Sequence, residues 1–192
     1  YEQATIDLNT AASVEVGDVP KTAPSQADLR GQIAHYNKLI ALFPDKSLDS
    51  LYNRGLLYLA MGDAAKAAAD MQAVVAQSKV INTTADYAVC YGSIALRMQR
   101  KTAEADEMLQ AYGKRPRREP APKEVEYFTN RALVQSKAQS SSPLRAHSID
   151  RILVGDDKHK TRVLTLIGLD AYSRNDKGSA RKYLSLVRNS GD

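Results

Sequence analysis

At 192 residues with a net charge of +5, the chain is long enough to bury about two thirds of its unfolded surface in one medium domain or one short repeat array. Its single cysteine, Cys90, excludes an internal disulfide, and no run approaches the roughly 20 apolar residues that a membrane-spanning helix needs. Residues 1–113 carry 10 basic and 13 acidic side chains and residues 114–192 carry 17 and 9, an asymmetry that fits either an acidic partner or a solvated basic surface.

Residues 1–24 hold turn signals at Gly17, Pro20 and Pro24 beside the short alternations ATIDLN and SVEV, the pattern of an extended N-terminal arm with short strand segments. The chain opens on Tyr1 without a methionine, so the expectation is a removed export signal or a longer parent chain. Export to a periplasm or cell envelope is weighted slightly ahead of the cytoplasm. From Ser25 the period changes. Leu29, Ile33, Tyr36, Ile40 and Phe43 recur at three and four residues until Pro44, which predicts a helix capped by Ser25 or Asp28.

The next stretch, YNRGLLYLAMGDAAKAAADM over residues 52–71, reads as two helices. Leu51, Gly55, Tyr58 and Leu59 line one face of the first, and Met61-Gly62-Asp63 makes the turn. Ala67, Met71, Val74 and Val75 line the second. Gly62 suits the left-handed residue that ends a helix, and Gly55 the close approach of a neighbour, with the alanines serving that same contact. A weaker copy follows. Its front helix, YAVCYGSIAL, begins at Tyr87, and its back helix runs through Ala105, Met108, Leu109 and Tyr112 to Pro116. A third front helix, EVEYFTNRALVQSKA, begins at Glu124 and precedes a back helix through Ala146, Ile149, Ile152, Leu153 and Val154. The last pair is TRVLTLIGLDAYSRND and GSARKYLSLVRN, in which Gly168, Tyr172 and Ala180 stand where Gly55, Leu59 and Ala67 stand in the first.

Leu51-x2-Arg54-Gly55-x2-Tyr58-x3-Gly62-x4-Ala67 resembles the tetratricopeptide repeat, and the likeness extends in degenerate form over about residues 25–190. It departs from the family pattern in lacking tryptophan, in placing Arg100 at a turn-glycine position and in the long KRPRREPAPKEV connection. The fold expected is all-α: a right-handed superhelical solenoid of antiparallel helix pairs. A half repeat at 25–46 precedes repeats at about 48–80, 86–116, 125–157 and 161–190. An array of longer HEAT-like pairs and a non-repeating bundle remain open.

The resemblance implies a concave groove lined by the front helices, binding a protein or peptide without catalysis or cofactor. It assigns the groove to Tyr52, Asn53 and Leu56, then Tyr87, Tyr91, Ile94 and Arg97, then Asn130, Leu133 and Lys137, and last Arg162 and Tyr172. Tyrosine gives contact area at low entropic cost, asparagine bridges a peptide backbone and arginine forks onto a carboxylate. The alternative is a structural scaffold element of an exported or envelope-associated multidomain assembly, its groove empty or filled by the arm. The clamp with which some family members grip a terminal carboxylate is incomplete here, because Tyr52, Leu56 and Cys90 occupy its polar positions.

The basic loop Lys114, Arg115, Arg117 and Arg118 offers phosphate or acidic contacts, or else forms a solvated loop between repeats. No aromatic residue interleaves with it, which disfavours nucleic acid. With histidines only at positions 35, 147 and 159 and no HExxH or cysteine pair, no metal site is expected. A Cys90 nucleophile assisted by His147 is disfavoured by the apolar helix around the thiol, and Asp156-Asp157 reads as a helix-end pair.

Overall fold

The computed structural model describes residues 24–79, 81–117, 119–136 and 153–189. Among them every regular element is helical, so the all-α class holds. The expected strand segments of residues 1–23 lie outside the described residues.

Helix α1 spans Gln26–Leu42 and opens on a reciprocal cap in which the Ser25 hydroxyl accepts from the Asp28 amide at 3.2 Å and the Asp28 carboxylate accepts from the Ser25 amide at 2.9 Å. It ends one residue short of Phe43. Pro44 disfavours helical geometry in the residue before it, and Phe43 takes φ −133° and ψ 63°. Its ring therefore turns outward and is 55% exposed instead of closing the apolar stripe.

After a short 3-10 turn come α2 (Leu48–Ala60) and α3 (Ala64–Gln77), then α4 (Thr83–Met98) and α5 (Thr102–Gly113). Helix α6 (Lys123–Ser136) follows a proline-rich connection, and α7 (Asp157–Ser173) and α8 (Lys177–Asn189) close the chain. Three turns share one geometry. Gly62, Arg100 and Asn175 each take a positive φ, of 78°, 65° and 63°. The next amide in each, from Asp63, Lys101 or Asp176, reaches back to Tyr58, Leu96 or Ala171 at 2.8–2.9 Å. Arg100 thus adopts the conformation that glycine takes in the first hairpin.

The contact between helices recurs as well. A Cβ added to Gly55 would meet Met71, one added to Gly92 would meet Met108, and one added to Gly168 would meet Leu184, in each case sixteen residues on. All three nearest approaches fall at 2.7–2.8 Å; at Gly55 and Gly92 the atom met is the flexible end of a methionine, and at Gly168 it is the branched Leu184 with its backbone nitrogen at 3.3 Å. Helix α4 is the centre of the molecule, with every residue from Ala85 to Arg97 buried, because α2, α3, α5, α6 and α7 all pack on it.

The third back helix expected through Ala146, Ile149 and Ile152 falls outside the described residues. Leu153 and Val154, placed in that helix by pattern, sit in irregular chain before α7, where Val154 is 75% exposed.

Candidate functional site

The candidate groove is the side of α4 on which α2 and α7 each pack. At its α2 end Tyr52 and Asn53 are half-buried, while Leu56 is buried. Asn53 bonds the Tyr36 hydroxyl of α1, and Tyr52 stands edge-on to Tyr91 with ring centroids 6.3 Å apart.

Along α4 the groove closes. Tyr87, Tyr91, Ile94 and Arg97 are all buried, and the main apolar core runs continuously from their neighbours into Leu166 and Leu169 of α7. The Arg162 guanidinium lies over the Tyr87 ring, 4.7 Å from its centroid. These residues, named by pattern as a peptide-binding lining, do come together, but they hold another helix of the same chain. Tyr172 is half-buried on α7, Asn130 is exposed on α6, and the Leu133 side chain and Lys137 lie outside the described residues.

Two charged clusters fasten α7 to this face. The Arg97 side chain is 1% exposed; its Nη2 bonds Asp106 of α5, and its Nη1 stands 3.7 Å from Asp170 of α7. Asp170 is itself held by Arg174 Nε at 2.9 and 3.0 Å. At the other end of α7 the Tyr87 hydroxyl donates to Glu124 of α6, and His159 Nδ1 lies 3.9 Å from that carboxylate. Burial, reinforced by the bond to Glu124, pushes the Tyr87 phenol well above its ordinary range.

The basic loop is not a solvated run at Arg115 and Arg117. Arg115 Nη1 donates to the Val75 carbonyl at 3.0 Å and its Nη2 to that of Ser78, so it caps the C-terminus of α3. Arg117 forks onto Asp86 with both Nη–Oδ distances 2.7 Å, while the Tyr112 hydroxyl donates to the same carboxylate at 3.0 Å. Lys114 is exposed, and Arg118 lies outside the described residues. Beside the fork is a cleft of about 520 Å³ lined by Ile81, Asn82, Thr83, Asp86 and Arg117 together with residues 119–122.

Compared with family models, curated proteins and solved structures, the chain matches none. What the site can do rests on its own geometry. Cys90 is buried, and burial, with the nearby Asp86, Glu124 and Asp170 carboxylates, pushes its thiol well above the usual value. Its partner by pattern, His147, lies outside the described residues. Among the described residues no cluster of His, Cys, Asp and Glu is arranged to hold a metal ion, and no helix is long and apolar enough to cross a membrane.

Pattern reading missed Asp86, Asp106, Glu124 and Asp170, the acids that bind the arginines and tyrosines. The signal was present, since Asp86 and Asp170 interrupt the apolar faces of α4 and α7, where a charge is kept only if it is paired.

Proposed function

We propose that the chain is a non-enzymatic protein–protein interaction module, a tetratricopeptide-like superhelical array of helix pairs that binds a peptide or protein segment along the face of its front helices. The observation that carries the reading is the seating of α7 on α4: this face already holds a helix through tyrosines, an apolar centre and an arginine. The shared turn geometry and the glycine contacts sixteen residues apart support the array. The internal bonds of Arg115 and Arg117 support a protein ligand over nucleic acid, because these cations are spent on the fold. The basic C-terminal part favours an acidic partner.

The half of the face left for a ligand is the α2 end at Tyr52 and Asn53. A photo-crosslinking residue placed at position 52 should capture one discrete protein, whereas the same residue at exposed Gln72 on α3 should not. Equal capture at both positions, or none at either, would sink the reading.

The burial of the α4 lining favours a second reading, a scaffold element of an exported or envelope-associated assembly whose own helices fill the groove. That reading expects no capture at position 52.

A further inference from the structure

The α4 face is closed by α7, yet the closure is imperfect at its most buried charge. Arg97 Nε and Nη1 make no hydrogen bond among the described residues, although the side chain is 1% exposed. A buried N–H without an acceptor is costly, and it recovers its bonds once water reaches it. Asp170, the carboxylate that α7 presents, stands 3.7 Å from Nη1, whereas Arg174 Nε, four residues on, bonds it at 2.9 and 3.0 Å. Thus α7 offers Arg97 a charge but not the bonds.

We infer that the α4 face is a helix-binding seat that α7 closes reversibly, and that its competing partner is an amphipathic helix carrying a carboxylate not already held by a neighbouring cation. Such a helix would reproduce the apolar contacts of Leu166 and Leu169 and supply an acceptor at bonding distance to Arg97 Nη1. The seat is also specific, since a helix without the acid leaves a buried guanidinium with only Asp106. The inference rests on the interaction reading but concerns α4, whereas the crosslinking experiment probes α2.

The first test is native-state hydrogen exchange on the full chain. Amides of α7 and α8 should exchange through an opening that leaves α2 to α5 protected, and exchange of all helices only by global unfolding would overturn the proposal.

The second test uses a labelled synthetic peptide of residues 157–173, which carries Asp170 but stops before Arg174. It should bind the full-chain variants Asp170→Asn and Arg162→Ala about tenfold or more tightly than the unaltered chain, because each loosens α7 from α4 without altering α4. A peptide extended to residue 175, or one carrying Asp170→Lys, should bind less tightly. Equal binding of all three peptides, or of one peptide to all three chains, would overturn the proposal. Should one variant lose helical content, the other decides. Capture at position 52 with no peptide binding would leave the interaction reading standing and overturn this seat, and peptide binding without capture at position 52 would support the α4 seat and remove the ligand proposed at α2.

Discussion

Asp86 accepts three hydrogen bonds, two from the Arg117 fork and one from the Tyr112 hydroxyl, and so ties α4 to α5 and to the basic loop from one buried carboxylate. Removing one donor and removing the acceptor have unequal costs. Tyr112→Phe deletes a single neutral donor and leaves the fork intact, so the loss should be about 1 kcal/mol. Asp86→Ala strands both partners, and about 3 kcal/mol is expected, the low end for a broken pair because Arg117 keeps some access to water. Urea-denaturation midpoints of the two variants test that ratio. The same contacts set an alkaline limit. Burial, with the Asp86 charge beside it, pushes the Tyr112 phenol above its ordinary range. A folded value above the unfolded value of about 10 means that the contribution is full below pH 10 and lost as pH rises toward the folded value. The stability of the unaltered chain should fall more steeply above pH 10 than that of Tyr112→Phe, and parallel curves would show that this hydroxyl does not drive the loss.

Among the elements, the hairpins differ in how much their glycines matter. A Cβ at Gly55 would meet the far end of Met71, a flexible side chain, and the next contact is Asp70 Cβ at 3.3 Å. At Gly168 it would meet Leu184 Cγ and Cδ2 at 2.7 Å and the Leu184 backbone nitrogen at 3.3 Å; the branched side chain has less room to give than a methionine terminus, and the nitrogen moves only with the helix. Alanine gains about 1 kcal/mol of helix propensity over glycine at both sites. Gly55→Ala should therefore come out near neutral and Gly168→Ala about 1–3 kcal/mol destabilising; thermal midpoints compared side by side would show whether the two differ. Arg100 gives the opposite case, a side chain held at φ 65° where glycine has no penalty. Arg100→Gly should raise stability by about 1 kcal/mol. These turns were legible in the sequence because each is fixed by residues within one turn of the chain. Gly62 was assignable as a helix end, and the second hairpin was recognisable although Arg100 replaced the glycine. Phe43 was misplaced because an apolar period of three and four residues says nothing about what Pro44 does to the residue before it.

In the whole molecule the decisive contact is between helices far apart in the chain, and there the pattern had no access. Periodicity showed that Tyr87, Tyr91 and Ile94 share a face of α4, but a local period cannot report which distant helix covers that face. Asp170, which fixes the cover, was visible as an interruption, yet the arginine it faces across the helices lies 73 positions away, and Glu124 accepts from a tyrosine 37 positions away; neither follows a repeat spacing. Glu124 shows the consequence. It belongs to α6, accepts from Tyr87 of α4 and faces His159 of α7, so one carboxylate joins three elements. Asp70 is a buried acid of the local kind: it holds Arg54 at 2.6 and 2.8 Å, and Arg54 in turn reaches Asn37, so its influence stays within α1 to α3. Neutralising each should therefore spread differently. Glu124→Gln should speed amide exchange at the start of both α6 and α7, while Asp70→Asn should speed it only in α1 to α3. Were Glu124→Gln to affect α6 alone, the hold on α7 would pass to Arg97 and Asp170 and to the apolar contact of Leu166 and Leu169. In that case the carboxylate of α7, not that of α6, would set how readily the α4 face opens.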